Sequence, residues 1–319
     1  MRVVTCLPAL LSGLIGLAAP VAGQDQLGVL QAVTPTFRSG VEMVTVAAVV
    51  RDQKGRLVRA LKRDQFQVLD RGEVRQIREF RPEAAPLSVA MLFDASGSMS
   101  VASNVEAAKQ AAGDILSLLE TGKDEFALYT FDTRLAEVQA FSSHSSQKSD
   151  LRRKLDEVAP FGMTSLHDAI AETSRRVAAR GNAHRAVIVL TDGIDTSSRL
   201  TPAQVAGIAS AIDVPVYILA VVSPLDHQSL AASAAADRPT PPAGDLASLA
   251  AWTGGGLFVS SKAEDSLAAA QEIVAELRHQ YLIAFEPGRQ PGWHPLEIRV
   301  RDRKLVVRAR SGYMAAAPR

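Results

Sequence analysis

Asp94-Ala95-Ser96-Gly97-Ser98 places a carboxylate and two hydroxyls at alternate positions directly after the apolar run Leu87-Ser88-Val89-Ala90-Met91-Leu92-Phe93. That run reads as a buried strand. A loop leaving it can turn all three oxygens toward one point, and such a set suits a hard divalent cation better than a soft metal or a nucleophile. Farther along, Thr164 lies in Gly162-Met163-Thr164-Ser165-Leu166, and Asp192 ends a second apolar run, Val187-Ile188-Val189-Leu190-Thr191. Asp94, Ser96, Ser98, Thr164 and Asp192 together offer two carboxylates and three hydroxyls, each at a loop. Both aspartates fall at the carboxyl ends of predicted strands, where open parallel sheets bind their ligands. Thr164 precedes a predicted helix start, in a loop that can reach the same edge.

The elements that must position these residues alternate strand with helix across 85–279. Strands are predicted at 87–93, 125–131, 185–191, 214–221 and 256–260, with a short edge strand at 135–141. Ser103-Asn104-Val105-Glu106 and Ser165-Leu166-His167-Asp168 have capping-box spacing, and Thr201-Pro202-Ala203-Gln204 adds proline at the first helical position. The final helix is predicted over 263–278. The alternation predicts an α/β unit with a doubly wound, mainly parallel sheet.

The flanking regions read as β. In 34–84, Val41–Val50, Gln65–Leu69 and Val74–Phe80 alternate in strand fashion, with a hairpin signal at Asp70-Arg71-Gly72-Glu73. In 280–315 the predicted strands are 281–285, 296–300 and 304–309. Each flank alone has few strands with which to close a core. The expectation is therefore that 280–315 pairs with 34–84 in one small β domain, into which 85–279 is inserted; two separate β extensions are the alternative.

Composition narrows the chemistry. With 47% hydrophobic and 22% charged residues among 319, the chain is globular rather than disordered. Residues 1–23 combine Arg2, an apolar centre and Val21-Ala22-Gly23, the pattern of a secretory signal peptide; uncleaved, the segment would be an N-terminal membrane anchor. Cleavage removes Cys6, the one cysteine, and with it disulfides, thiolate zinc sites and thiol catalysis. It also takes Arg2 from the 35 Lys+Arg, leaving 34 against 34 Asp+Glu. That balance gives no reason to expect nucleic acid or an acidic membrane surface as partner. The expected location is extracytoplasmic, periplasmic or secreted, with no transmembrane span after cleavage.

Asp-x-Ser-x-Ser, then Thr, then Asp, resembles the metal-ion-dependent adhesion site of von Willebrand factor A-type domains. The likeness extends to a bacterial family of secreted von Willebrand factor A-related proteins through Phe66-x-Val68-x-Asp70-x-Gly72, Phe93-Asp94-Ala95-Ser96-Gly97-Ser98-Met99, Tyr281-x-Ile283 and Val307-x-Ala309-Arg310-x-Gly312-Tyr313. The resemblance implies that Ser96 and Ser98 coordinate the metal through hydroxyl oxygen. It implies that Asp94 holds a bound water, Thr164 ligates in a ligand-competent state, and Asp192 binds directly or through water. Mg²⁺ is the implied ion, with Mn²⁺ next and Ca²⁺ behind. With mostly neutral direct ligands the ion keeps charge and an open position, so the implied partner is a protein presenting an exposed Asp or Glu. A scaffold subunit of an envelope assembly, with no metal-dependent binding, is the alternative function. Catalysis is not expected, because a metal water needs a placed general base and a serine nucleophile lacks a Gly-x-Ser-x-Gly elbow.

Neighbouring residues take plainer roles. Asp195 reads as solvated or capping, Asp132 as a hairpin residue, His167 as a packing or helix-surface residue, and Trp252 and Trp293 as core or domain contacts. Arg299, Arg301, Arg308 and Arg310 read as solvated strand faces that discourage edge pairing. The Ala-, Ser- and Pro-rich loop 222–244 is expected on the metal face, where Asp226 or Asp237 could cap the ion.

Overall fold

The computed structural model describes residues 43–82, 84–223, 227 and 245–315. The segment 1–23 and loop residues Asp226 and Asp237 lie outside the described residues. Five strands form the parallel part of the central sheet: β5 (Leu87–Asp94), β6 (Glu125–Phe131), β8 (His184–Thr191), β9 (Val216–Val221) and β10 (Leu257–Ser260). Antiparallel β7 (Leu135–Ser142) closes one edge, and the order is β10-β9-β8-β5-β6-β7. All eight residues of β5 are buried, as a central strand covered on both faces requires.

Helices α1 (Asn104–Leu118), α2 (Ser145–Asp156) and α6 (Ala263–Arg278) supply one core layer, through residues such as Ile115, Leu151 and Ile273. Helices α3 (Leu166–Ala178), α4 (Pro202–Ala211) and α5 (Leu246–Thr253) supply the other, through Ile170, Val205 and Leu249. The chain runs from β5 to β6 on one side and later to β8 on the other, so the switch in winding falls between β5 and β8.

The flanking segments build two antiparallel sheets, each mixing both ends of the chain. In the first, β1 (Val44–Arg51) lies between β13 (Val306–Ala309) and β11 (Tyr281–Phe285), which pairs with β4 (Ile77–Arg81). In the second, β12 (Gly292–Val300) lies between β14 (Gly312–Ala315) and β2 (Phe66–Asp70), which pairs with β3 (Glu73–Arg75) through the predicted hairpin. The pattern at 74–80, one strand by alternation, is two strands in different sheets, because the chain crosses between layers at Gln76. Phe66, Val68, Ile283, Phe285 and Ile298 fill the core between the sheets.

Arg308 and Arg310 correct the solvated-strand reading. Arg308 pairs with Glu276 of α6, which is fully buried and also takes Arg51 Nε at 3.0 Å. Arg310 is 5% exposed and donates to the carbonyls of Ser210 and Thr45, with Asp213 at 3.3 Å from its Nε. Trp252 of α5 stacks on Trp293 of β12 at 5.8 Å and 9°, a contact between the α/β and β layers. Gly255, in the connection to β10, sits where an added Cβ would lie 1.9 Å from the Val216 carbonyl oxygen, so no other residue fits there.

His184, at the start of β8, is buried and bonds through Nδ1 to the Leu277 carbonyl at 2.7 Å. That bond assigns the proton of the neutral ring to Nδ1. Burial lowers its pKa below the ordinary value, and the Leu277 bond only partly opposes it. An unfolded chain then takes up a proton that the native ring resists, so this site costs stability as pH falls below about 6.5 and nothing above it. The unfolding temperature of wild type relative to His184→Gln is expected to decline from pH 7.5 to pH 5, measured by thermal scans of both proteins in the same buffers.

Candidate metal centre

Asp94 is the last residue of β5 and Asp192 follows the last residue of β8, so both carboxylates stand at the carboxyl edge beside the switch in winding. Asp94 is fully buried. Its Oδ1 accepts the Ser96 amide at 2.9 Å, and its Oδ2 accepts the Thr191 hydroxyl at 2.6 Å. Thr191 Oγ1 in turn accepts the Gly193 amide at 3.0 Å, which orients the turn carrying Asp192. Ser96 and Ser98 bring their hydroxyls within 3.0 Å of each other.

The Thr164 loop is tied to both sides of this edge. The Gly97 amide bonds the Gly162 carbonyl at 3.0 Å, and the Phe161 amide bonds the Ala95 carbonyl at 2.8 Å. Gly162 holds a φ of +87°, a left-handed conformation that glycine adopts without steric cost. Thr164 donates its amide to Thr196 Oγ1 at 2.9 Å, and its carbonyl accepts the Thr196 and Ser197 amides. Main-chain bonds thus run from 95–97 to 161–162 and from 164 to 196–197, bringing the loops of all five sequence-selected residues together.

The capping pattern at Ser165-x-x-Asp168 is used differently. Ser165 Oγ meets Ser197 Oγ at 2.8 Å, and the Asp168 carboxylate accepts the Leu200 amide at 2.9 Å. Both side chains serve the 196–200 loop instead of closing a box on α3. Helix α1 likewise continues a 3₁₀ run over Gly97–Ser103, so the chain is already helical before the predicted Ser103 cap. Asp195 starts no helix; it accepts the Ser198 amide at 3.1 Å within the loop and pairs with His167 Nδ1. Burial lowers the His167 pKa, with the Asp195 charge opposing. Asp132 accepts the Arg134 amide at 2.8 Å, as a hairpin residue does.

Burial pushes the Asp94 carboxyl up to about 6, with the nearby Asp192 charge adding to it; bonds from Ser96 and Thr191 hold part of the rise back. Neither aspartate pairs with Lys, Arg or His among the described residues. Also among the described residues, no group of three or more His, Cys, Asp and Glu could hold a metal ion. Two carboxylates and three hydroxyls around an uncompensated buried charge are the donor set of a hard cation, and these residues fit one.

One feature escaped the sequence reading. Val101, Phe161, Met163 and Ile194 are large, apolar and exposed, and all four lie on the loops of this site; Phe161 is 81% exposed. The signal was present, since each sits within three residues of a site residue. Apolar residues beside loops read as packing until the loops are seen to face outward.

A doubly wound sheet with Asp-x-Ser-x-Ser at its switch in winding defines the class of fold. Residues 88–241 match the model of the von Willebrand factor type A domain, and the fold is of that type. All five site residues lie within the match. A comparison with curated proteins gives no match. Among solved structures, the chain is similar to the conserved hypothetical protein BatB from Bacteroides thetaiotaomicron, at 19% identity and TM-score 0.46 over 60% of this chain and 98% of that one. It is similar to a von Willebrand factor type A protein from Catenulispora acidiphila, at 14% identity and TM-score 0.48 over 83% and 72%. It is also similar to proximal thread matrix protein 1 from the mussel byssus, solved with a zinc-occupied MIDAS motif, at 21% identity and TM-score 0.47 over 65% and 50%.

Metal at ten times its dissociation constant stabilises a native state by about 1.4 kcal/mol. Millimolar Mg²⁺ or Mn²⁺ is therefore expected to raise the unfolding temperature over that in EDTA by about 2–5 °C, and Asp94→Ala is expected to abolish the difference.

Proposed function

We propose that the chain is an extracytoplasmic protein-binding module, which recognises an acidic side chain through a divalent cation held by Asp94, Ser96, Ser98, Thr164 and Asp192. The observation carrying this reading is Asp94, a carboxylate buried without a countercharge beside Asp192 and two hydroxyls 3.0 Å apart. Mg²⁺ or Mn²⁺ fits hydroxyl and carboxylate oxygen, with Ca²⁺ behind them. A bound cation would supply an electrophilic point for a partner's carboxylate. The residues of this chain do the rest: Thr191 and the Ser96 amide orient Asp94, Thr196 and Ser197 fix the Thr164 loop, and the edge is held open by main-chain bonds.

The exposed side chains of Val101, Phe161, Met163 and Ile194 support a protein as the partner, since apolar groups around a charged point suit a macromolecular interface. Residues 85–279 form the recognising domain in this reading, inserted between 34–84 and 280–315. The N-terminal segment 1–23 supports an extracytoplasmic location, and among the described residues no helix is long and apolar enough to cross a membrane. The role in this reading is binding rather than catalysis.

Partner association is expected to be lost in EDTA, restored by Mg²⁺ or Mn²⁺, and weakened about tenfold or more by Thr164→Ala. Chemical cross-linking followed by surface plasmon resonance on the recovered partner would measure it, with substitution of the partner's contacting Asp or Glu as the reciprocal arm. Association unchanged in EDTA would favour a scaffold role instead.

A further inference from the structure

The β layers enclose an open groove of about 1170 Å³, away from the metal-centre loops, lined by the approach to β2, the β3–β4 crossing, the end of β12 and the start of β13. Val74, Val300, Leu305 and Val307 give it apolar surface, while Phe66 and Ile298 at its wall are buried in the core between the sheets. Lys62, Arg63, Arg75, Arg299, Arg301 and Arg303 also line it, against only Asp64 and Glu297 of opposite sign. The whole chain carries a formal net charge of +1, so the excess is local.

Part of that charge is already engaged. Arg299 binds Glu297 at 2.7 Å, Arg75 reaches Asp70 at 3.1 Å and Glu73 at 2.9 Å, and Arg63 donates to the Ile77 carbonyl. Lys62, Arg301 and Arg303 enter no ion pair among the described residues. Edge protection explains a basic residue on a strand. It does not explain Lys62 before the 3₁₀ turn Arg63–Gln65, or Arg303 in the β12–β13 turn, lining one groove with Arg301. Like charges held together around an apolar surface repel, and an anionic ligand would relieve that repulsion.

Charge alone would suit any polyanion; the apolar lining is what selects. Free phosphate and anionic sugars have little use for Val74, Val300, Leu305 and Val307. The volume also exceeds the roughly 300–1,000 Å³ of ordinary small-molecule sites. Val74 and Val306, 63% and 42% exposed, extend the apolar surface along the adjoining strands β3 and β13.

We propose that this groove binds an extended acidic peptide segment of a partner protein, its carboxylates set against Lys62, Arg301 and Arg303 and its apolar side chains on Val74, Val300, Leu305 and Val307. This contact is independent of the metal centre and would give the protein a second point of attachment.

Fluorescence anisotropy of the intact protein in EDTA tests it, with three probes: a labelled 12-residue peptide alternating Glu and Val, a Glu/Ser peptide of equal charge, and heparin. Vesicles of phosphatidylcholine with phosphatidylglycerol serve as a fourth, measured by co-sedimentation. The Glu/Val peptide is expected to bind best, to weaken as salt rises, and to lose about tenfold or more in affinity in the Arg301→Glu/Arg303→Glu double variant. Both arginines are exposed and unpaired, so the variant's unfolding temperature should match wild type; Lys62→Glu, on another lining segment, gives the same reading if it does not. The Glu/Ser peptide binding as tightly as Glu/Val would overturn the peptide assignment, as would preferential binding of heparin or vesicles. Equal affinity of wild type and both variants, or no binding of the Glu/Val peptide, would overturn the site.

Discussion

A carboxylate buried at the end of the central strand, with hydrogen bonds but no countercharge among the described residues, is the constraint around which the edge is built. Asp94 accepts the Ser96 amide and the Thr191 hydroxyl, which satisfies its geometry and leaves its charge. Burying an ion costs far more than burying a hydrogen-bonded neutral group, and the rise of its pKa to about 6 reports that cost. Among the described residues no basic side chain corrects it. The surrounding loops are fastened by main-chain bonds between 95–97 and 161–162, and by the Thr164 amide and carbonyl to 196–197. What the fold leaves unbalanced at this edge is charge, not shape.

A second buried acid is treated in the opposite way. Glu276, within α6, is held between Arg51 of β1 and Arg308 of β13, and Arg310 beyond them bonds carbonyls of α4 and β1. Removing one partner from such a buried pair costs about 3–5 kcal/mol, because the other charge is stranded. The Trp252–Trp293 stack adds an apolar contact between the same layers. Compensated charge joins the α/β sheet to the β sheets, whereas uncompensated charge marks the edge that faces outward. The two aspects follow one electrostatic rule applied with and without a basic partner.

The central strands β5, β6, β8 and β9 were legible because they are buried on both faces and read as nearly continuous apolar runs; 87–93 and 125–131 fall within a residue of β5 and β6. The five candidate residues stand out in the sequence as types at spacings, and hydrogen bonds join loops 95–97, 161–164 and 196–197. Less legible was anything decided by residues distant in sequence. Ser165 and Asp168 have capping spacing, yet their side chains are claimed by the loop at 197–200. Arg299 and Arg308 sit in similar alternating patterns, but Arg299 pairs with a strand neighbour in solvent, while Arg308 meets Glu276 of α6. Alternation reports the faces of a strand; it does not report whether a helix covers the outer one. The break at Gln76 was hidden for the same reason, since both halves of 74–80 are good strands and only the layers they join differ.

Strand β4 carries the chain out of the β sheets and β11 brings it back, and these two are antiparallel neighbours with Arg81 opposite Leu282. The α/β unit thus hangs from two adjacent strand ends, roughly 5 Å apart. Traction applied to the unit would first load the contacts of Glu276, Arg310 and Trp252 with the β layers, and then draw β4 and β11 apart from one end, their hydrogen bonds in sequence instead of together. Under tension the joint would behave as a zipper with a charged clasp, and the clasp would set the force at which it opens.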